Sequence, residues 1–155
     1  MLIRNIESED FEKITPILRD WWGGRDMSLP KLFFDHFQNT SFVMEDNNKI
    51  IGFLIGFLSQ SQDGEAYIHF VGIEPTFRNK GIANSLYNLF FEEVQKQNVH
   101  KIKCITSIVN KKSIAFHTRM GFDIVPGDNL IDGISVHSDH GGEGVDRVLF
   151  FKEIK

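Results

Sequence analysis

The run Val71-Gly72-Ile73-Glu74-Pro75-Thr76-Phe77-Arg78-Asn79-Lys80-Gly81-Ile82-Ala83-Asn84 carries the chain from a strand straight into a helix. Upstream, Glu65 to Ile73 alternates as a strand. That spacing puts Tyr67, His69, Val71 and Ile73 on one face and Ile68, Phe70 and Gly72 on the other. Pro75 ends the pairing because it has no N–H to give to a ladder. From Gly81 to Gln97, Ile82, Leu86, Leu89, Phe90 and Val94 fall on one helical stripe. The first turn of such a helix has free backbone N–H groups and the positive end of the dipole. Gly81 and the small Ala83 let a ligand come close, while Arg78 and Lys80 add charge. The stretch suits a phosphate or pyrophosphate. It reads equally as a tight turn with surface cations. It is neither a Gly-x-x-x-x-Gly-Lys-Ser/Thr loop nor a Gly-x-Gly-x-x-Gly turn.

Working outward, Met1 to Ile6 alternates like a short strand. Ser8 precedes two acids and the periodic run Phe11, Ile14, Ile17, Leu18, which reads as a capped helix. Pro16 inside that run predicts a kink or a broken second turn. Trp21 to Asp26 is a loop by its glycines, and Leu29 to Phe37 a short helix. Ser41 to Glu45 and Ile50 to Gln60 flank Asp46-Asn47-Asn48 as a hairpin. The second arm is apolar on both faces, so it belongs at the centre of a sheet. Lys101 to Thr106 is a strand, and Lys111 to Met120 a helix ended by a left-handed Gly121. Phe122 to Val125 and Val145 to Ile154 are strands. The segment between them, Pro126 to Gly144, reads as a long loop rich in Gly, Asp and His. The order predicts an α/β fold, a mixed sheet with helices on both faces, in one domain spanning 1–155.

Composition narrows the function classes. With 41% hydrophobic and 25% charged residues, the chain is globular rather than disordered. Most of its 15 phenylalanines lie in periodic segments and serve as core. A net charge of −4 argues against a general nucleic-acid binder. Cys104 is the single cysteine, so no intrachain disulfide can form, which fits a reducing cytoplasm. Met1 to Asp10 lacks the apolar core of a signal peptide, and Ile50 to Leu58 is too short to span a bilayer. The expected protein is cytoplasmic, with no nucleic-acid or membrane partner.

The run from Val71 to Ala83 resembles the signature of the GNAT superfamily of acyl-CoA-dependent N-acetyltransferases, Val-x-Ile/Val-x-Pro-x-x-Arg-x-x-Gly-x-Gly/Ala, at every position. A second block, Asn110-Lys111-Lys112-Ser113-Ile114-Ala115-Phe116-His117-Thr118-Arg119-Met120-Gly121-Phe122, is similar to the family's Asn-x-x-Ala/Ser-x-x-Phe/Leu-Tyr-x-x-x-Gly-Phe. The element order also fits. The resemblance implies a GNAT-like fold, a central mixed, mostly antiparallel sheet with a splayed parallel strand pair. Coenzyme A lies in the gap of that pair.

What the resemblance implies for the site is specific. Backbone groups of Val71 and Ile73 would pair with the pantetheine arm. N–H groups of Asn79, Lys80, Gly81, Ile82, Ala83 and Asn84, with the charge of Arg78, would hold the pyrophosphate. A backbone N–H near Val71 or Gly72 would polarise the thioester carbonyl. Asn110 would contact the pantetheine. Acetyl-CoA is then the co-substrate, and no metal is implied. The reaction would be direct attack by a primary amine, which is mostly protonated at neutral pH (pKa ~10.4), so a base is useful.

His69 is the first candidate for that base, through a bridging water; its bland reading is a strand histidine satisfied by hydrogen bonds. His117 stands where the family usually has the tyrosine that protonates the leaving thiolate. A thiol with pKa around ~8.5 needs little acid help, so contact with the cofactor is favoured over acid catalysis. Tyr67 would orient the amine or the water. Trp22 and Arg25 would line the acceptor site, an aromatic wall with one arginine that suits an acceptor bearing an apolar part and a carboxylate. Trp21 is more simply a cap on the core. The missing tyrosine keeps a second reading open, a non-catalytic acyl-CoA-binding module or sensor. His137, Asp139 and His140 are metal-ligand types, but a glycine-rich loop is a poor cage, so a substrate-side loop is expected there. Asp146 and Arg147 read as charge on the final strand, and Cys104 as a buried strand residue. The acceptor would be a small-molecule or peptide amine; members of the family this chain resembles often form homodimers, while the sequence does not fix the oligomeric state.

Overall fold

The computed structural model describes residues 1–24 and 28–155. The chain runs β1 (Leu2–Asn5), α1 (Asp10–Trp21), α2 (Leu32–His36), β2 (Phe42–Asp46), β3 (Lys49–Leu58), β4 (Glu65–Ile73), α3 (Ile82–Gln95), β5 (Lys101–Thr106), α4 (Lys111–Arg119), β6 (Asp123–Ile124), β7 (Asn129–Ile131), β8 (Ile134–Val136) and β9 (Val148–Glu153). Seven strands form one mixed sheet in the order β1-β2-β3-β4-β5-β9-β6. Its parallel pair is β4 with β5, Glu65 opposite Lys101 and Tyr67 opposite Lys103. The expected mixed, mostly antiparallel sheet with flanking helices is therefore present. Among the described residues no helix is long and apolar enough to cross a membrane.

The chain forms two compact units, Met1–Leu58 with Ile68–Asn98, and Ser59–Tyr67 with Val99–Lys155. In the first, Asn47 and Asn48 both adopt positive φ (50° and 64°), as a two-residue turn between twisted strands requires. They join β2 to β3 in the expected hairpin, with Phe42 opposite Leu54 and Asp46 opposite Lys49. Residues Ile50 to Gly56 of β3 are all buried, as a central strand demands. The apolar stripe of α1 (Ile14, Leu18, Trp21) and Phe34 of α2 bury against Val43, Phe53 and Ile55. Beneath them Arg4 donates to both carboxylate oxygens of the fully buried Asp10 at 2.8 Å and to Glu45 at 2.8 Å.

In the second unit, β9 lies antiparallel between β5 and β6, with Cys104 opposite Phe150 and Ile124 opposite Phe150 on the other side. Helix α4 ends as expected: Gly121 takes φ 87°. The Phe122 N–H donates to His117 O, and the Gly121 N–H to Thr118 O. That pair of bonds is the Schellman pattern, which only a left-handed residue closes without strain.

Several local expectations are corrected. Ser8 does not cap α1. Asp10 reaches back to the Glu7 N–H at 2.7 Å instead, and Ser8 Oγ accepts from Gln38 Nε2. A carboxylate pinned by Arg4 is the stronger acceptor for that end. The helix also runs through Pro16 without a broken second turn; burial of Ile14, Leu18 and Trp21 outweighs one missing backbone bond. Helix α2 is shorter than expected, starting only after Pro30. Tyr87 and Phe91 join the buried arc of α3, while Leu89 is half-buried.

The long loop from Pro126 to Gly144 contains a second, two-stranded sheet, β7 with β8. Its turn is Asp132-Gly133, with φ 52° and 78°. An Asp-Gly pair between Leu130-Ile131 and Ile134 is itself a hairpin signal, hidden by the glycine-rich surroundings. Asp146 and Arg147 precede the last strand rather than lying in it. Arg147 forms a single bridge with His137.

Candidate functional site

In the first unit, the strand end and the helix start are fixed by backbone bonds. The Glu74 N–H donates to Ile51 O at 2.8 Å. Pro75 opens a 3-10 turn, Pro75–Phe77, whose start is capped by the Glu74 carboxylate accepting from the N–H and hydroxyl of Thr76. Asn79 and Gly81 then both take positive φ, 63° and 80°, turning the chain into α3. The Ser85 N–H donates to Gly81 O at 3.0 Å. The preceding N–H groups, of Ile82, Ala83 and Asn84, have no carbonyl four residues back within the helix. A Cβ built on Gly81 would meet nothing within 4 Å. The backbone therefore stands beside open space at the positive end of a helix, which fits a pyrophosphate.

The side chains around this turn do more anchoring than the sequence suggests. Arg78 Nε donates to Ile73 O at 3.3 Å, and its Nη2 donates to Trp21 O. The guanidinium thus clamps the turn to the end of α1. Lys80 Nζ lies 5.2 Å from the Phe77 ring centroid. Ile82 is buried, and its Cγ2 and the Cδ1 of Ile73 both sit 3.1 Å from where a Gly52 Cβ would stand. Val71 and Ile73 are half-buried, and Gly72 is buried. A Gly72 Cβ would lie 2.5 Å from Phe53 Cε1, so only glycine lets β4 approach that ring.

His69 is exposed, but its ring stacks on Phe33 of α2, centroids 4.4 Å apart and planes 19° apart. Phe70 meets it edge-on at 5.8 Å. Burial of that covered face pulls the imidazole below its ordinary 6.5. Phe33 packs against the same core cluster as Phe70, and Ile73 lies with Gly52 and Ile82.

In the same unit Trp22 packs on Phe70 at 4.3 Å and on Phe53 at 6.5 Å. Trp21 is buried and stacks on Phe53, the core role expected of it. Arg25 lies outside the described residues.

In the second unit, Tyr67 is half-buried on β4. Burial, helped by the Cys104 thiol and opposed by Arg147, pushes its phenol up to about 12, so it stays protonated. Asn110 is the N-cap of α4, its side chain accepting from the Ser113 N–H at 3.3 Å. Seven residues on, His117 is only 6% exposed. Its Nδ1 lies 2.8 Å from Ser113 O and 3.3 Å from Ser113 Oγ, and its ring stacks on Phe150 at 4.8 Å. Burial lowers its pKa, and the bond to Ser113 opposes that only in part. Cys104 is buried and its thiol is pushed well up by burial. His137 Nε2 is 3.2 Å from Val125 O, and its ring is 6.3 Å from that of His140. Among the described residues no group of three or more His, Cys, Asp or Glu is placed to hold a metal.

Sequence reasoning missed Phe33, the Glu74 cap and the Arg78 clamp. Pro75 at the first position of the turn was a readable start signal. Nothing local marks Phe33, because its partner lies in another element.

The family model of the Acetyltransferase (GNAT) family matches residues 3–122. The chain belongs to that family. A curated relative, an uncharacterized N-acetyltransferase of Methanocaldococcus jannaschii, is 33% identical over 86 residues, 53% of this chain. The match spans only 38% of that relative's length. The fold is similar to that of Ard1 from Thermoplasma volcanium, with a TM-score of 0.79 at 16% identity over 99% of this chain and 97% of that one. It is also similar to the diaminobutyrate acetyltransferase EctA of Paenibacillus lautus, whose structure holds L-2,4-diaminobutyric acid and coenzyme A. There the TM-score is 0.73 at 21% identity, over 97% and 92% of the two chains.

Proposed function

We propose that this GNAT protein transfers an acetyl group from acetyl-CoA to a primary amine. The observation that carries the reading is the left-handed Gly81, beside open space, at the start of α3. The N–H groups from Asn79 to Asn84 hold the pyrophosphate, and Val71 and Ile73 offer backbone groups to the pantetheine arm. Arg78 contributes its positive charge while it holds the turn in shape. An N–H near Val71 or Gly72 polarises the thioester carbonyl. Asn110, its side-chain oxygen engaged as the helix cap, has its amide nitrogen as donor to the pantetheine.

The amine nitrogen attacks the acetyl carbon, the carbon–sulfur bond breaks, and an amide and the coenzyme A thiolate result, the thiolate then taking a proton from water. His69 takes the amine proton through a water. Its lowered pKa keeps it neutral at physiological pH, as a base must be. His117 contacts the cofactor rather than serving as an acid, since burial disfavours the doubly protonated ring that an acid would need. Tyr67, held protonated, orients the amine or the water, and Trp22 with Arg25 borders the acceptor. The acceptor is a small-molecule or peptide amine. A same-fold neighbour that holds a small diamine with coenzyme A supports that class. The protein acts in the cytoplasm, as a homodimer.

A thiol-release assay with acetyl-CoA against pooled amines, followed by mass spectrometry of the product, tests the reading. On a confirmed acceptor, His69→Ala should cut turnover while acetyl-CoA affinity stays nearly intact; wild-type turnover would refute the base assignment. The commitment of His117 to Ser113 favours one alternative, an acyl-CoA-binding module without catalysis. Tight acetyl-CoA binding with no thiol release across the whole panel would establish it.

A further inference from the structure

We infer that Phe33 is a positioning residue for His69: the flat stack of the two rings fixes the imidazole plane, and so where its nitrogens point. The inference rests on the reading of His69 as the base. The two rings come from different elements, α2 and β4, and meet at 4.4 Å and 19°. That is a parallel arrangement, whereas Phe70 touches the same imidazole edge-on at 69°. A flat stack from one ring and an edge contact from another leave little rotation about the imidazole's χ2. Phe33 is itself held, because it lies 5.2 Å from Phe37, which stacks on Phe57 at 5.2 Å. It also packs against the core cluster of α1. A base that works through one water gains from such fixing, since a misaimed nitrogen loses the water's geometry.

The stack also contributes to the burial that favours the neutral ring. Covering one face of the ring with hydrocarbon removes water from the imidazolium and favours the neutral form. Helix α2 carries two titratable groups besides, Asp35 and His36, with Asp35 tied to Lys31 Nζ at 3.2 Å. Neither acts on His69, whose lowered pKa comes from burial alone. Phe33 is thus the part of the surroundings that a single substitution can remove.

The test uses the whole chain with Phe33→Ala, Phe33→Leu and Phe33→Tyr, read by NMR titration of the His69 ring and by steady-state rates on a confirmed acceptor. Removing the flat ring in Phe33→Ala or Phe33→Leu should move the His69 midpoint upward toward 6.5. It should also lower kcat several-fold, with KM for acetyl-CoA within twofold of wild type. Phe33→Tyr keeps the plane and should restore both. An unmoved midpoint in Phe33→Ala and Phe33→Leu overturns the inference. So does a kcat loss that Phe33→Tyr fails to restore. The titration needs no turnover: if His69→Ala proves fully active, the base reading fails by itself, and the midpoint still decides whether Phe33 governs His69.

Discussion

The Nδ1 of His117 lies 2.8 Å from the carbonyl oxygen of Ser113, one turn earlier in α4. A carbonyl can only accept, so a proton sits on Nδ1, and burial, which lowers the pKa, disfavours a second proton on Nε2. His117→Phe would keep an aromatic ring beside Phe150 and remove the Nδ1 bond to Ser113 O, a loss of about 1 kcal/mol in stability. Thiol release should fall less than tenfold; a hundredfold loss would restore an acid role to this residue. The stability profile should change as well. As pH falls through the ordinary imidazole value of 6.5, the unfolded chain takes up a proton that folded His117 resists, so wild type loses stability. Urea melts of His117→Phe between pH 7.5 and 5.5 should show a shallower decline.

Gly81 has φ 80° and empty space where a Cβ would go. Gly81→Ala therefore meets no clash and is penalised by conformation alone, about 1–2 kcal/mol. Asn tolerates the left-handed region better, so Gly81→Asn should be milder. Both should weaken acetyl-CoA binding in calorimetry, alanine more, because either the turn shifts or the new side chain occupies the pyrophosphate space. Unchanged affinity in both variants would place the anion elsewhere.

Gly72 is a packing position instead. Its missing Cβ would stand 2.5 Å from Phe53 Cε1, and Phe53 is fully buried against Trp21 and Trp22. Gly72→Ala should destabilise the protein by about 1–3 kcal/mol through overpacking, seen as a lower urea midpoint with unchanged slope. Phe53→Leu should relieve part of that loss in the double variant, which separates a clash from a backbone effect.

Asp10 has no exposed surface, yet its carboxyl sits below the usual range. Burial by itself pushes it up, and hydrogen bonds from Arg4 and the Glu7 N–H outweigh that push. A depressed carboxylate contributes stability above its unfolded pKa of ~3.9 and loses it as pH falls through the lower folded value. Arg4→Met should cost about 2–3 kcal/mol at neutral pH by leaving that buried charge short of donors. The difference from wild type should shrink toward pH 3, measured by thermal melts across that range. An equal difference at both pH values would mean that packing, not charge, is what Arg4 supplies.

Much of the fold was legible because it depends on neighbours in sequence. Asn47-Asn48, Pro75 and Gly121 each impose a backbone conformation that needs no distant partner, and the apolar run of β3 announces a strand buried on both faces. The hairpin at Asp132-Gly133 was equally local in origin and was obscured only by the glycines around it. Motif spacing likewise identified the turn at Gly81 and the block from Asn110 to Phe122, since both follow from the order of residues along one segment. The tertiary structure alone decided what the side chains of these segments touch: Arg78 on Trp21, Gly72 under Phe53, Asp10 with Arg4, His69 on Phe33. Such contacts join residues far apart in the chain, and the distances and burial that fix a pKa or a ring plane exist only after packing has brought them together.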